Sequence, residues 1–308
     1  MHLTVTTPAA AELPRIGELL SAWQADPWAG HLHPGDVGWR TLVGAAGTAD
    51  ALRVWAEGAR PVAVGLLDDG VLRLALDPAL TDDDAVAAAM ADTLEDLRPE
   101  MFAGDGALVE ARGAGALRRR LQSDGWMEDE PWSPLVLDLS RELSPHAVSA
   151  GLRIERVGPE AAEQWTGVHW SAFKGTPFEG DDRDLFVQRW VSMTTGPLAE
   201  WAQSLIGYDS QGCPVAVVTV WTAGRGRPGL IEPMGVHREH QGHGYGTAIT
   251  VAGALALQQA GASSAVVAAE GSNPAAIATY RAAGFVSLGT VTDLRRAQHG
   301  RQPSGAMA

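Results

Sequence analysis

Lysine is nearly absent from this chain: Lys174 is the only one among 23 Lys and Arg side chains, and 37 carboxylates outnumber them to give a formal net charge of −14. That balance argues against nucleic acid as a partner, because neutralising phosphates requires basic surface. Cysteine occurs once, at Cys213. An internal disulfide framework is therefore excluded, and Cys213 reads as a small buried or edge-strand residue in preference to a nucleophile. No run is long and apolar enough to span a bilayer, and the N-terminus lacks the basic and apolar regions of a secretory signal. No membrane partner is expected, and the expected compartment is the cytoplasm. The glycine loop Gly242-x-Gly244-x-Gly246 is not spaced as GxGxxG, and no Gly-Lys-Ser/Thr closes it.

The charge is unevenly placed. Residues 1–150 carry 11 arginines, no lysine and 24 carboxylates, whereas residues 151–308 are close to neutral. At 308 residues about two domains are expected. A faint repeat supports that number. Pro61-Val62-Ala63-Val64 recurs as Pro214-Val215-Ala216-Val217, and each opens a strand-like run. In the first half the pattern predicts strands over 61–67, 71–76 and 108–111 and helices over 81–97 and 114–123, ending at Gly125-Trp126. In the second half it predicts strands over 214–221, 230–236 and 264–269 and helices over 245–259 and 273–283, ending at Gly284-Phe285. Each half opens alike, with a short strand before an amphipathic stretch, 13–23 and 161–173. The expected division is 1–140, a polar linker over 141–150, 151–296, and a flexible tail over 297–308.

One loop stands out. The stretch His240-Gln241-Gly242-His243-Gly244-Tyr245-Gly246-Thr247 follows an apolar strand and precedes a helix. Its glycines allow positive φ and remove β-carbons, and the helix behind it aims free N–H groups and a positive dipole end at the loop. This is a seat for an anion. Downstream, Asn273-Pro274 has the form of a helix start, with Asn as cap and Pro at the first helical position. The helix then runs through Tyr280 to Gly284-Phe285. The spacing Gln241-x-x-Gly244-x-Gly246, followed by Asn273, Tyr280 and Gly284-Phe285, resembles the GNAT superfamily of acyl-CoA-dependent N-acyltransferases over about residues 152–295.

The resemblance implies an α/β protein of two tandem GNAT folds, each a mixed, mainly antiparallel sheet flanked by helices, with acetyl-CoA as co-substrate and no metal. Backbone N–H groups of Gln241, Gly242, His243, Gly244, Tyr245, Gly246 and Thr247 would hold the pyrophosphate. Gly235 and Val236 would occupy the bulged strand end that frees backbone groups for the cofactor arm and the acyl oxygen. Asn273 would bond the cofactor arm or serve only as a cap. Tyr280 would face the thioester sulfur and protonate the leaving thiolate; a buried helix tyrosine is the alternative. Glu232, sharing a strand face with Met234 and Val236 by the period of two, reads either as the general base or as a carboxylate that binds the amine or sits at a sheet edge. His169, Trp170, Phe173, Phe178 and Trp190 lie where the family's first two helices line the acceptor, and read as core packing or as an aromatic wall for a cation. His237, His240 and His243 bracket the loop instead of sharing one helix face, so a metal is not expected. In the first half the loop position falls near Thr81-Asp82-Asp83-Asp84. Carboxylates there repel pyrophosphate and suit a helix cap, so the first unit is expected to be a degenerate copy without a cofactor loop, serving as scaffold or as one wall of the cleft. The activity implied is acetyl transfer to a primary amine of a small molecule in a ternary complex. A protein N-acetyltransferase and a non-catalytic CoA sensor stay open, as do a monomeric and a homodimeric state.

Overall fold

A computed structural model describes residues 1–102, 106–141, 143 and 151–297. The expected elements of the first half are present: β1 (Thr4–Thr6), α1 (Leu13–Trp23), β3 (Arg60–Asp68), β4 (Val71–Leu76), α4 (Asp84–Met101), β5 (Gly106–Glu110) and α5 (Gly115–Ser123). The second half repeats them as β7 (Arg153–Val157), α6 (Ala162–Phe173), β9 (Pro214–Trp221), β10 (Gly229–Val236), α8 (Tyr245–Gln259), β11 (Ser264–Glu270) and α9 (Pro274–Ala282). The pattern does not reveal α2 (Pro34–Arg40), α3 (Gly44–Ala51), β2 (Leu52–Glu57), α7 (Gly180–Thr194) or β8 (Ala202–Tyr208). In both halves a long helix carries the chain between two parallel strands, β4 to β5 through α4 and β10 to β11 through α8, while the earlier strands pair antiparallel.

The two units are tied by three strands that sequence periodicity leaves unmarked: β6 (Met127–Asp138), β12 (Val286–Ser287) and β13 (Val291–Ala297). Among the described residues the strands form one sheet in the order β1-β2-β3-β4-β5-β13-β6-β11-β10-β9-β8-β7, with β12 also on β6. The first part of β6 pairs with β13, Met127 opposite Arg295 and Trp132 opposite Val291. Its second part pairs with β11, from Trp132 opposite Glu270 to Asp138 opposite Ser264. β13, from the C-terminal end of the chain, lies against β5 of the first unit. Each unit therefore completes its sheet with a strand that the other half of the sequence supplies. The expected tail starts one residue too early, since Ala297 closes β13. The rest of that tail, and all of the expected linker but Arg141 and Leu143, lie outside the described residues.

Packing follows the exchange. The first unit's core includes Leu294 from β13, fully buried among Leu72, Val109 and Trp126. The second unit's core includes Leu135 and Leu139 from β6. A third cluster joins Trp28, Trp39 and Leu42 of the first unit to Trp165, Trp190 and Trp221 of the second. At the crossing, Arg112 Nε and Nη2 donate to the two carboxylate oxygens of Asp293 at 2.9 and 3.0 Å, and both side chains are buried. Breaking a buried pair strands a charge, at a cost of about 3–5 kcal/mol. Asp293→Ala is expected to destabilise the chain by about that amount in urea unfolding, and both halves should unfold in one transition, because the strand it loosens belongs to both. Separate transitions for the two halves would contradict the interlock.

Candidate active site

Gly242 and Gly244 adopt φ of +81° and +80°, a region that costs a side-chain-bearing residue about 1–2 kcal/mol. Gly244 is the N-cap of α8 and offers no side-chain cap, so the first N–H groups of the helix remain free for an anion. Gly246 has a different role from the one its spacing suggests. It lies inside α8, and a β-carbon there would stand 3.0 Å from Thr279 Cγ2 of α9 and 3.5 Å from Val236 of β10. Its smallness brings the helix tip against both elements. Tyr245 and Thr247 are the first and third residues of α8. His243 stacks on Tyr245, with ring centroids 5.6 Å apart, and Gln241 accepts a 2.9 Å contact from the His243 ring through its carbonyl. His237 and His240 lie against each other beside the loop, and among the described residues no group of three or more His, Cys, Asp or Glu is arranged to hold a metal.

The corresponding helix of the first unit is closed. Asp83 caps α4 by accepting from the amides of Ala85 and Val86 at 2.8 and 3.0 Å. Asp82 and Asp84 flank it in exposed contacts with Arg119. The donors that an anion would need are already engaged, and carboxylates surround them.

Behind the loop the sheet splits. β10 pairs with β11 only at Gly229 and Leu230 and then follows β9 alone. A register shift between Ile231 and Met234 places Glu232 and Pro233 opposite a single position of β9. The bulge thus sits two to three residues earlier than the expected Gly235 and Val236, which are regular partners of Val217 and Ala216. Gly235 instead lets α6 come close, since a β-carbon there would lie 2.9 Å from Ala172. The extra residue also breaks the period of two: Ile231 and Met234 face the same core, and Glu232 is turned out of it. Trp221 Nε1 holds the bulge by donating to the Glu232 carbonyl at 2.8 Å.

The bulge opens into a cavity of about 450 Å³ lined by Glu232, Met234, Asn273 and Tyr280 of the second unit. Asn273 caps α9, its Oδ1 accepting from Ala276 N at 3.0 Å. Tyr280 is buried, and burial, then the nearby Glu232, raise its phenol well above the ordinary range, so it stays protonated. The Glu232 carboxyl is raised to about 7: burial and then the neighbouring Asp36 and Asp68 push it up, while Arg73 and Arg112 hold it down.

The opposite wall belongs to the first unit: Trp28, His31, Asp36, Arg73, Glu110 and Arg112. Sequence reasoning had assigned none of these a role. The only signal was a charge inside an apolar strand, as in Val71-Leu72-Arg73-Leu74 and Leu108-Val109-Glu110. Phe173 reaches the same cavity and is an exposed aromatic side chain. Trp190 is fully buried core. Trp170 and Phe178 pack on each other and on Phe186. His169 is wedged between Trp165, Trp39, Phe173 and Phe186, and burial lowers it to about 3. Cys213 is exposed in the turn before β9, contrary to the buried or edge placement expected.

Residues 164–285 match the model of the acetyltransferase (GNAT) family. The second unit belongs to the GNAT family. Its members use acetyl-CoA, and this stretch holds the free helix tip, the split strands, Glu232, Asn273 and Tyr280. The chain is similar to mycothiol acetyltransferases: 33% identical over 151 residues to that of Sanguibacter keddieii, 47% of this chain and 46% of the relative. To that of Propionibacterium freudenreichii it is 28% identical over 167 residues, 50% and 51% of the two chains. It thus spans about half the length of the curated relatives it matches. Among solved structures, a tandem GNAT protein from the clavulanic acid biosynthesis pathway aligns over 96% of this chain and 98% of its own, with a TM-score of 0.63 at 19% identity. An N-acetyltransferase of Sphaerobacter thermophilus aligns over 96% and 95%, with a TM-score of 0.55 at 18% identity. These two likenesses show the fold: two GNAT units in tandem.

Carboxyl-detected NMR on the full chain should give Glu232 a midpoint near 7. Arg73→Met should move it upward, because the guanidinium favours the carboxylate. An ordinary midpoint near 4.5 would show that water reaches the group freely.

Proposed function

We propose that the second unit moves an acetyl group from acetyl-CoA to a primary amine of a small molecule, by direct attack in a ternary complex, and that the first unit binds no cofactor. One observation carries this reading: Glu232 and Tyr280 line a single cavity at the split between β10 and β11, behind an uncapped helix tip. The amides at Gly244–Thr247 would receive the pyrophosphate, and Gln241, Gly242 and His243 the approach to it. Pantetheine would follow the gap past Val236 and Asn273 toward Glu232. The likeness of half the chain to mycothiol acetyltransferases supports acetyl as the group transferred.

An amine attacks only when neutral. A carboxyl raised to about 7 is half ionised at neutral pH and is matched to receiving a proton from an ammonium or from an intervening water. The nitrogen lone pair forms the new C–N bond at the thioester carbonyl, the C–S bond breaks, and the sulfur leaves with the pair. Tyr280, protonated by virtue of its burial, donates its hydroxyl proton to that sulfur, and the proton that the acylated nitrogen sheds returns through water to Tyr280. General acid or base assistance of this kind contributes about 10²–10⁴ in rate.

Isothermal titration is expected to find one acetyl-CoA per chain, lost in Gly244→Glu, where a carboxylate would enter the helix tip. Tyr280→Phe is expected to lower kcat by about 10²-fold or more while leaving the acetyl-CoA affinity within about twofold; equal losses in both would assign Tyr280 to packing. The wild-type rate should rise with pH through about 7, since the ionised Glu232 is the active form, and Glu232→Gln should abolish that rise. Acetyl-CoA binding without thiol release toward any amine would favour a sensor.

A further inference from the structure

The charges on the first unit's wall do not cancel within the protein. Arg73 Nη1 donates to Asp36 Oδ1 at 2.7 Å, and the other Asp36 oxygen accepts from the His33 amide at 2.6 Å. Arg112 is held by both oxygens of Asp293. Each arginine therefore has its own carboxylate. Two carboxylates remain, one from each unit. Glu110, at the end of β5, is 7% exposed. Its nearest cations, Arg73 Nε and Arg112 Nη1, stand 3.7 Å away, beyond hydrogen-bond reach. Among the described residues no donor lies within hydrogen-bonding distance of its side chain. Glu232 has neither a hydrogen bond nor an ion pair through its side chain among the described residues. Both face the same cavity. Glu110 is buried and Glu232 partly buried, and carboxylates so placed without donors are costly, a cost that a cationic N–H donor in the cavity would relieve.

We propose that Glu110 is the docking carboxylate for the acceptor's ammonium group, set by the first unit across the cavity from Glu232, and that the acceptor is a primary amine carrying no carboxylate of its own. This rests on the acetyl-transfer reading above and deepens it. The two carboxylates divide the work. Glu110 holds the cation as it enters, and Glu232 receives its proton. Among the described residues that line the cavity neither arginine is without a carboxylate, and this decides the substrate class. An α-amino acid would bring its own carboxylate among Asp36, Glu110 and Glu232, with no unpaired guanidinium to receive it, and like charges at close range oppose binding. The amide of the same amino acid has no such charge. Burial raises Glu110 to about 7 despite the two arginines, consistent with a group that ionises fully once a cation is beside it. The first unit, whose own helix tip is closed by Asp83, thereby acquires a part in the chemistry as the acceptor-binding half of a site that neither unit forms alone.

Matched pairs test this on the full chain with saturating acetyl-CoA, by thiol release: serinamide against serine and leucinamide against leucine. The expected wild-type result is a kcat/KM at least about tenfold higher for each amide, the discrimination that one unpaired buried charge supplies. In Glu110→Gln, KM for the amides should rise about 10- to 100-fold, with acetyl-CoA affinity unchanged and the thermal midpoint no lower. Glu110→Asp should recover part of the loss. Equal rates for acids and amides, turnover of neither amide by a chain that binds acetyl-CoA, or an unchanged amide KM in Glu110→Gln would overturn the inference. The outcomes separate the two readings. If Glu110→Gln behaves as wild type while Tyr280→Phe is slow, only the docking role falls. If acetyl-CoA does not bind at all, the acetyl-transfer reading falls and this one with it.

Discussion

Everything in this molecule hangs on the crossing of β6 with the strand pair β12 and β13. A long strand from the first half of the sequence leaves its own sheet to border β11 of the second unit. β13 returns along it into the first unit. The crossing is locked by a buried arginine–carboxylate pair between Arg112 and Asp293, by Arg118 donating to the Thr292 carbonyl at 2.6 Å, and by Arg296 on Glu95 at 2.8 Å. Charged pairs are weak glue when exposed. Buried and bidentate they define geometry, because any slip of the strands would leave a guanidinium without its acceptor. The exchange fixes the distance between the two halves and hence the width of the cavity between them. Glu110 and Glu232 can share one cavity only because β5 and β10 belong to one continuous sheet.

Given that frame, the two copies differ by a few side chains at one point. In both, a helix begins beyond the end of a strand and presents unbonded amides. In the first unit Asp83 uses them; in the second, Gly244 leaves them open. One carboxylate at a cap is worth about 0.5–2 kcal/mol to its helix, and its removal is what an anion seat requires. The second unit gives up that local stability, and the close seating of α8 on α9 through Gly246 supplies packing in its place.

Much of this was legible in the sequence, and the parts that were not share a cause. Strands such as Val71–Leu76 and Pro214–Trp221, and the helix Tyr245–Gln259, announce themselves because their burial is local and periodic. The glycine loop, Asn273 and Tyr280 are legible because backbone freedom and capping leave their mark within a few residues. β13 went unread as a strand because Val291-Thr292-Asp293-Leu294-Arg295-Arg296 is polar by itself. Its Asp293 and Arg296 are matched by Arg112 and Glu95, some two hundred residues away. The bulge at Glu232 moved for a related reason. Period-two reasoning counts residues along one strand, and an inserted residue is defined only against its neighbour, β9. Arg73 and Glu110 were invisible as site residues because their function depends on a wall that the other half of the chain provides.

The electrostatics of the cavity follow from this division. A base near neutrality needs a poorly solvated carboxyl, yet an uncompensated anion in such a place threatens the fold. The arrangement resolves the conflict by distributing charge across the junction. Arginines of the first unit, themselves neutralised by Asp36 and Asp293, lie near enough to Glu232 and Glu110 to keep both from rising beyond about 7, but not near enough to bond Glu232 and silence it. A single GNAT unit has no second wall from which to apply such a field at a distance. Here the first unit supplies that wall, and its Arg73 and Arg112 thus act on the proton affinity of Glu232 from across the junction.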